Sequence, residues 1–373
     1  MPSHDPDGEL HRSHAHRAQR GALSMPAEIF GLTLFTAGPR WRVWRVGDEP
    51  INATGSGASC RTTGTFAGGL SGINISEPGE SPARAPMCLF PGRNMISDYV
   101  SKTGRWHDCA RLVAAWRQRN PPQGSVMLEI GGNIGACSLE MLLRTDARLI
   151  IFEPSPMNLF HLTRSLQAAH RHSPQLGLAD RLVVFPIGLG NETSATAIYA
   201  DRKNSGDTIV VGKGEPSASS TAASYHKWEA QGLVTIHALD ELVPPVLSGP
   251  RPTPARLAHV PLMKMDVQGY ECRALTGMRR LLGSRTVDAI FTEVSLPHLK
   301  RAGCSKEGLL GLLARSGYRV DRPHGPRGFW SWDIVAVGDW HGMAGVLKYP
   351  ADSRRLQHHR TVQRPEPEFR TYN

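Results

Sequence analysis

Apolar residues along the middle of this chain fall into two alternating patterns. Short, nearly continuous runs stand at VMLEI (126–130), ARLIIFE (147–153), RLVVFPIGL (181–189), PLMKMDVQG (261–269) and VDAIFTEV (287–294). They read as strands buried on both faces. Between them the spacing turns helical: a helix to about Leu143, one from Pro156 through Ala169, one over ECRALTGMRRLL and one over SKEGLLGLLARSG, before SWDIVAV closes the series as a strand. Strands alternating with helices predict a mainly parallel sheet covered on both faces. Upstream, MISDYVSKTGRWHDCARLVAAWRQR carries Val113, Ala114 and Trp116 at helical spacing, and Asn120-Pro-Pro ends that helix. NSGDTIVVGKG reads as a β excursion, EPSASSTAAS as a flexible link and PPVLSGPRPTPAR as a proline-rich surface loop.

The turn after the first strand holds the most informative chemistry. Gly131, Gly132 and Gly135 surround Asn133 between VMLEI and a helix starting near Ile134. Ligands of open parallel sheets bind outside the carboxyl ends of the strands, where glycine lets backbone approach closely and a helix start offers its amides to an anion. The dinucleotide fingerprint G-x-G-x-x-G is not met, because Asn133 follows Gly131 at the second place and Ile134 follows Gly132. A turn of the form acid-x-Gly-x-Asn-x-Gly suits a carboxylate and an ammonium group, as at the methionine end of S-adenosylmethionine. Glu129 fits the ammonium and the helix amides fit the carboxylate. Glu153 ends the second strand, where an acid can accept two ribose hydroxyls; a helix-start acid beside Pro154 and Ser155 is the competing explanation.

Taken in order, Glu129-Ile-Gly-Gly-Asn-Ile-Gly135, Phe152-Glu-Pro154, His237-Ala-Leu-Asp240-Glu-Leu and Lys264-Met-Asp-Val-Gln-Gly-Tyr-Glu271 resemble the successive motifs of the FkbM-type methyltransferases. Ser97-Asp-Tyr-Val and Gly104-Arg-Trp are similar to the segment before that family's first strand, so the resemblance covers about residues 88 to 340. It implies an α/β class I methyltransferase fold, Rossmann-like, with a mainly parallel doubly wound sheet and S-adenosyl-L-methionine as cofactor. It also implies a hydroxyl acceptor on a small molecule or glycan. Carried over by position, Glu129, Gly131, Gly132, Asn133 and Gly135 would hold the methionine moiety and Glu153 the ribose, while Asp266 would lie beside the sulfonium and the acceptor. Two positions depart from the family pattern: Glu129 stands for the more usual Asp, and Gln268 for the Glu often found in Asp-Val-Glu-Gly.

Asp266, Glu293 and His298 at strand ends are the candidates for the base that takes the acceptor's proton. Each has a plainer reading: Asp266 as an acceptor for turn amides, Glu293 as an arginine partner, His298 as a surface histidine. Asp266 ranks first. A noncatalytic cofactor-binding domain acting as a regulatory or interaction module is the alternative to an enzyme, and polar groups at all three strand ends favour the enzyme.

Composition narrows this reading only at the edges. The net charge of +10 invites nucleic acid, but positive and negative residues nearly cancel between 126 and 300, and the excess sits in the flanks, including SRRLQHHRTVQR near the C-terminus. No nucleic-acid partner is expected. Asn120-Pro-Pro-Gln123 lacks the aromatic residue of DNA amino-methylating loops. His11, His14 and His16 have no carboxylate completing a metal site, and Trp330 and Trp332 at period two suit a half-buried strand. No metal and no membrane span are expected. The six cysteines form no CxxC pair and lie far apart, which predicts free thiols in a reducing compartment. A cytoplasmic location is expected, organelle targeting by the N-terminus stays open, and the oligomeric state is not legible. The domain reading is an N-terminal extension over 1–87 with at most short strands, a methyltransferase domain over 88–342 and a basic tail over 343–373.

Overall fold

Val126–Ile130 (β1) is buried along its whole length, so it needs a hydrogen-bonded neighbour on each side. In the computed structural model it has both. Arg148–Phe152 (β2) pairs with it in parallel on one side and Leu262–Met265 (β7) on the other. The structure describes residues 26–338 except 31, 53–57, 63, 65, 93, 212–227, 244, 247–252, 255–258 and 322–330. The histidine cluster at 11–16, Trp330, the Ser-rich link, most of the proline-rich loop and the basic tail lie outside the described residues.

Seven strands make the central sheet. Leu182–Phe185 (β3) follows β2 at one edge, and Ala289–Ser295 (β8) pairs in parallel with β7. Ser331–Gly338 (β10) then pairs antiparallel with β8, and Tyr318–Asp321 (β9) antiparallel with β10. The order is therefore β3-β2-β1-β7-β8-β10-β9. This is the expected doubly wound, mainly parallel α/β sheet, with the antiparallel pair at one edge. The described helices of five residues or more are Met95–Thr103 (α1), Cys109–Arg119 (α2), Ala136–Arg144 (α3), Pro156–His172 (α4), Glu271–Thr276 (α5), Arg279–Gly283 (α6), Leu296–Arg301 (α7) and Lys306–Arg315 (α8), with one further turn of helix at Leu239–Leu242.

Strand alternation decides which side chains serve which core. Met127, Leu149, Ile151 and Leu262 face one hydrophobic cluster with α2, α3 and α4. Leu128, Ile150, Phe152, Met263 and Met265 face the other, with α5, α6 and α8. Glu129 and Lys264, paired across β1 and β7, therefore share the α3 side of the sheet. Ser155 caps α4 by accepting from Asn158 N at 3.4 Å, and Pro156 opens it.

Two predicted single helices are in fact pairs. Gly104, at φ +77, ends α1 before α2 begins, because a left-handed residue closes the helix through its N–H to Val100 O. Gly277 separates α5 from α6; a Cβ there would lie 1.7 Å from Gly190 O, so close packing sets the break. A second, four-stranded sheet is built from Gly188–Leu189, Ser194–Asp201 (β4), Asn204–Val211 (β5) and Trp228–His237 (β6), with Gly188–Leu189 parallel to β6. Of β4, β5 and β6 only β5 was anticipated, as the β excursion.

The described residues before 88 form short strands and one 3-10 turn. Their hairpin of Ser71–Ile75 and Ala83–Met87 places Ile73, Ile75, Ala85 and Met87 in the α3–α4 core. Trp44 exchanges backbone hydrogen bonds of 2.8 and 3.0 Å with Val184, which covers part of the exposed edge of β3. Trp41 Nε1 donates to His237 Nε2 at 3.0 Å. The other ring nitrogen then carries the proton and donates to Thr193 Oγ1 at 2.9 Å, and the Thr193 hydroxyl donates to Glu241. Burial lowers the His237 pKa to about 4, in keeping with a neutral ring.

The cysteine expectation is overturned. Cys60 pairs with Cys88, Cys109 with Cys137 and Cys272 with Cys304, leaving no free thiol. Sequence separations of 28, 28 and 32 residues conceal contacts that only the packing creates, such as the starts of α2 and α3 coming together. Two measurements check this. Unfolding without reductant should expose no titratable thiol and reduction should release all six. Replacing Cys109 and Cys137 together by Ser should lower unfolding stability by about 2–4 kcal/mol, the usual cost of opening a loop of that size.

Candidate functional site

At the carboxyl ends of β1 and β7 the backbones touch so closely that side chains are excluded. Asp266 N donates to Ile130 O at 2.9 Å, and a Cβ on Gly131 would lie 1.9 Å from Asp266 O. Gly131 is also at φ +87, which only glycine adopts without strain. Its N–H and that of Gly132 both donate to Phe152 O, tying the turn to the end of β2. Gly135, also at φ +87, is the N-cap of α3, and a Cβ there would strike Leu162 Cδ1 at 2.6 Å. Its smallness sets the packing of α3 on α4. No side chain caps α3, so its first amides are open to the space above.

Asn133 takes φ +49 and directs its side chain two ways: Oδ1 accepts from Ile134 N at 2.8 Å, and Nδ2 donates to Gly206 O of β5 at 2.9 Å. Its backbone N–H donates to Glu153 Oε2 at 2.8 Å. Glu153 Oε1 accepts from Ser155 N at 2.8 Å and from Asn158 Nδ2 at 3.4 Å. Burial pushes the Glu153 carboxyl up to about 7, against the pull of the Ser155 and Asn133 amides.

Glu129 is fully buried. Its Oε2 accepts from Ser138 Oγ at 2.6 Å, while Oε1 lies 3.7 Å from Lys264 Nζ and accepts no hydrogen bond. Lys264 is a residue the motif reading quoted without assigning a role. Its ammonium donates to Gly131 O at 2.7 Å and stands 3.9 Å from Asp266 Oδ2. Burial works to lower its pKa, but Asp266, Glu129 and Glu153 outweigh that and hold it above the usual value. Burial likewise raises the Glu129 carboxyl, opposed by Lys264 and Ser138.

Asp266 and Glu293 come together through Gln268. The Gln268 amide nitrogen donates to Asp266 Oδ1 at 2.8 Å and to Glu293 Oε2 at 3.0 Å. A glutamate at 268 could not make both bonds. Gln268 sits at φ +53, held there because Arg301 Nη2 donates to its carbonyl and Glu271 Oε1 accepts from Val267 N and Gly269 N. Burial raises the Glu271 carboxyl to about 7, against its hydrogen bonds to the turn amides. His298, on α7, lines neither of the cavities below; its backbone carbonyl packs 2.4 Å from where a Cβ on Gly269 would stand.

Two cavities flank this turn. One, of about 580 Å³, runs over Gly131, Phe152, Glu153 and Asn158 under a roof of Ile198, Gly206, Thr208, Val210 and Ile236 from the second sheet. The other, of about 660 Å³, has Ile96, Trp106, Leu112 and Phe291 as apolar walls, with Asp108, Arg111, Lys264 and Glu293 as charged groups. Among the described lining residues only Asn133 and Asp266 belong to both. The structure thus gathers Glu129, Gly131, Gly132, Asn133, Glu153, Asp266 and Glu293 around one junction. Sequence reasoning missed Lys264, Asn158 and the roof. Register could have found Lys264, since it stands two residues before Asp266 as Glu129 stands two before Gly131.

No described cluster of His, Cys, Asp and Glu could hold a metal ion, and no described helix is long and apolar enough to cross a membrane. The site does fit S-adenosylmethionine. It offers an uncapped helix start, a glycine cradle closed to any Cβ, a buried acid at the second strand end and an elongated double cavity.

No protein of curated function matches the chain in sequence. Among solved structures it is similar to magnesium protoporphyrin IX methyltransferase (ChlM) from Synechocystis PCC 6803 with bound SAM, at 10% identity and a TM-score of 0.34, covering 66% of this chain and 84% of that one. It is similar to a TehB-like SAM-dependent methyltransferase from Corynebacterium glutamicum at 11% identity and a TM-score of 0.32, covering 65% and 92%. It is also similar to precorrin-6y C5,15-methyltransferase from Geobacter metallireducens GS-15 at 12% identity and a TM-score of 0.28, covering 61% and 88%. Residues 129–320 match the Methyltransferase FkbM domain, which spans the glycine turn, the Glu153 cavity and its roof, while the Ile96, Trp106 and Leu112 wall of the other cavity precedes the match. The chain belongs to the FkbM methyltransferase family and is an S-adenosylmethionine-dependent methyltransferase.

Proposed function

We propose that the chain methylates a hydroxyl group on a small molecule or glycan, with the nucleoside of the cofactor in the Glu153 cavity and the acceptor in the Trp106 cavity. The carrying observation is the junction: two cavities of comparable size meet at Asn133 and the carboxylate of Asp266. A methyl donor and an acceptor must meet at one point, and the second cavity extends beyond the residues around the methionine end to an apolar wall of Ile96, Trp106 and Phe291 that a cofactor-binding scaffold would not need.

Bound S-adenosylmethionine supplies an electrophilic methyl group on a cationic sulfur. The chain's residues do the rest. The open first amides of α3 would hold the methionine carboxylate, with Glu129 beneath the turn as the charge partner on the ammonium side. Glu153 would accept from the ribose hydroxyls. Asp266, its Oδ1 fixed by Gln268 and its Oδ2 turned toward Lys264, would take the proton leaving the acceptor hydroxyl. Alignment can supply ~7–11 kcal/mol, whereas a general base contributes ~10²–10⁴-fold, about 3–5 kcal/mol, so the shape of the junction matters more than any one base. Glu293 lies across the Gln268 bridge as the second carboxylate. His298 falls outside this proposal because it lines neither cavity.

The cofactor assignment is checked by thermal denaturation. S-adenosylmethionine or S-adenosylhomocysteine at a hundredfold excess over its dissociation constant should stabilise the chain by about 2.7 kcal/mol, and NAD should not. The acceptor class is checked by incubating metabolite and glycan extracts with labelled S-adenosylmethionine. Label should appear in an ether; label in an amine or on carbon would overturn the hydroxyl assignment.

Asp266→Asn keeps shape but cannot take a proton. Single-turnover transfer with saturating cofactor should fall by ~10²–10⁴-fold while melting temperature and affinity for the neutral S-adenosylhomocysteine stay near wild type. A variant within threefold of wild type removes Asp266 as the base.

The buried acids also set a pH dependence. Glu153 and Glu271 have folded values of about 7 against 4.5 for the ordinary carboxyl, so the folded chain holds protons that the unfolded chain has lost. Stability should therefore fall as pH rises from about 4.5 through about 7, by up to ~3 kcal/mol for each group. Urea midpoints at pH 5 and pH 8 measure this, and Glu153→Gln should flatten the difference.

A further inference from the structure

The Gln268 side-chain amide bridges Asp266 and Glu293 at the junction. It lines the nucleoside cavity, whereas Glu293, its second partner, lines only the acceptor cavity. Its backbone is held at φ +53 by Arg301 and by the turn amides that bind Glu271. A left-handed glutamine costs strain. Here the strained backbone leaves one NH₂ group donating to two carboxylates that would otherwise repel each other.

The local charge is uneven. The lining of the acceptor cavity carries four carboxyl groups, Asp108, Glu129, Asp266 and Glu293, against two cations, Arg111 and Lys264; the Lys264 ammonium is shared between Glu129 and Asp266 and donates its hydrogen bond to Gly131 O. With both carboxylates fixed at the joint, the site presents surplus negative charge where cofactor and acceptor meet. The two forms of the cofactor differ there by one charge: the sulfonium is positive and the thioether product is neutral.

We propose that Gln268 is a positioning residue that holds Asp266 and Glu293 together at the junction, so that the site binds the positive methyl donor in preference to its neutral demethylated product. This rests on the cofactor placement given under the proposed function. The consequence is kinetic order. Transfer discharges the cofactor, its electrostatic hold weakens, and the product leaves rather than blocking the next donor.

Titration calorimetry with S-adenosylmethionine and S-adenosylhomocysteine, without any acceptor, tests this. In Gln268→Ala the ratio of the two dissociation constants should shift against the donor by about tenfold, the scale expected for charges several ångströms apart in a partly buried site. Glu293→Gln should shift the ratio in the same direction without disturbing the turn, which keeps the test open if Gln268→Ala unfolds. A purely structural glutamine would weaken both ligands equally, and an unchanged ratio in Gln268→Ala and Glu293→Gln overturns the proposal. Failure of the wild-type chain to bind either compound instead overturns the cofactor placement.

Discussion

The site depends on one largely buried ammonium at the wall of the second cavity. Lys264 lies where β1 and β7 run side by side, donates to the carbonyl of Gly131 and stands between the carboxylates of Glu129 and Asp266. Burying a charge costs several kcal/mol unless partners surround it, and here the partners are the ends of the two central strands. The lysine therefore converts strand register into site geometry: wherever β7 slides against β1, the glycine turn and the Asp266 carboxylate must follow. The close approach of Gly131 to the Asp266 carbonyl enforces the same register sterically. Electrostatics and packing fix one arrangement, and the cavities open on either side of it.

Much of this was legible because it follows period and spacing. The buried runs at 126–130, 147–153 and 261–269 became β1, β2 and β7, and the glycine turn and Glu153 lie at their carboxyl ends as the pattern required. What stayed hidden depends on long-range packing. Asn158 is an ordinary helix residue until the fold brings it under Glu153. β4 and β6 have weak alternation and appear only when they pair with each other. The motif His237-Ala-Leu-Asp240 reads like site chemistry, yet it builds scaffold: His237 receives Trp41, and Asp240 accepts from the N–H groups of Arg280 and Leu281 at the start of α6. The glutamine at 268 looked like a lost carboxylate, and in the structure it is the donor between two carboxylates.

The cysteines show the same limit from another side. Spacing alone made them unrelated thiols, but each pair closes where two elements meet. Cys109 and Cys137 join the starts of α2 and α3, and Cys137 lines the acceptor cavity beside Ala136. That bond therefore sets the distance between the acceptor wall and the helix that receives the cofactor. Disulfides persist in oxidising surroundings, so the pairing of all six cysteines removes the ground on which a reducing compartment was expected.

The roof over the nucleoside cavity is attached differently from the floor. Its own apolar core is small: Ile198, Val210, Val234 and Ile236 with Tyr270 beneath. At one end β6 is tied down by its pairing with Gly188–Leu189 and by Trp41 on His237, while over the cavity the ties are polar contacts from Asn133 and Asn158 to Gly206 O, from Asn94 and Met95 to Asn204 and from Arg301 to Val210 O. Segments with little buried apolar surface open more readily than the sheet they cover. Asn133 then has a double part: its backbone N–H holds Glu153 and its side chain holds the roof, so the same residue positions the acid at the base of the cavity and fastens the cover above it.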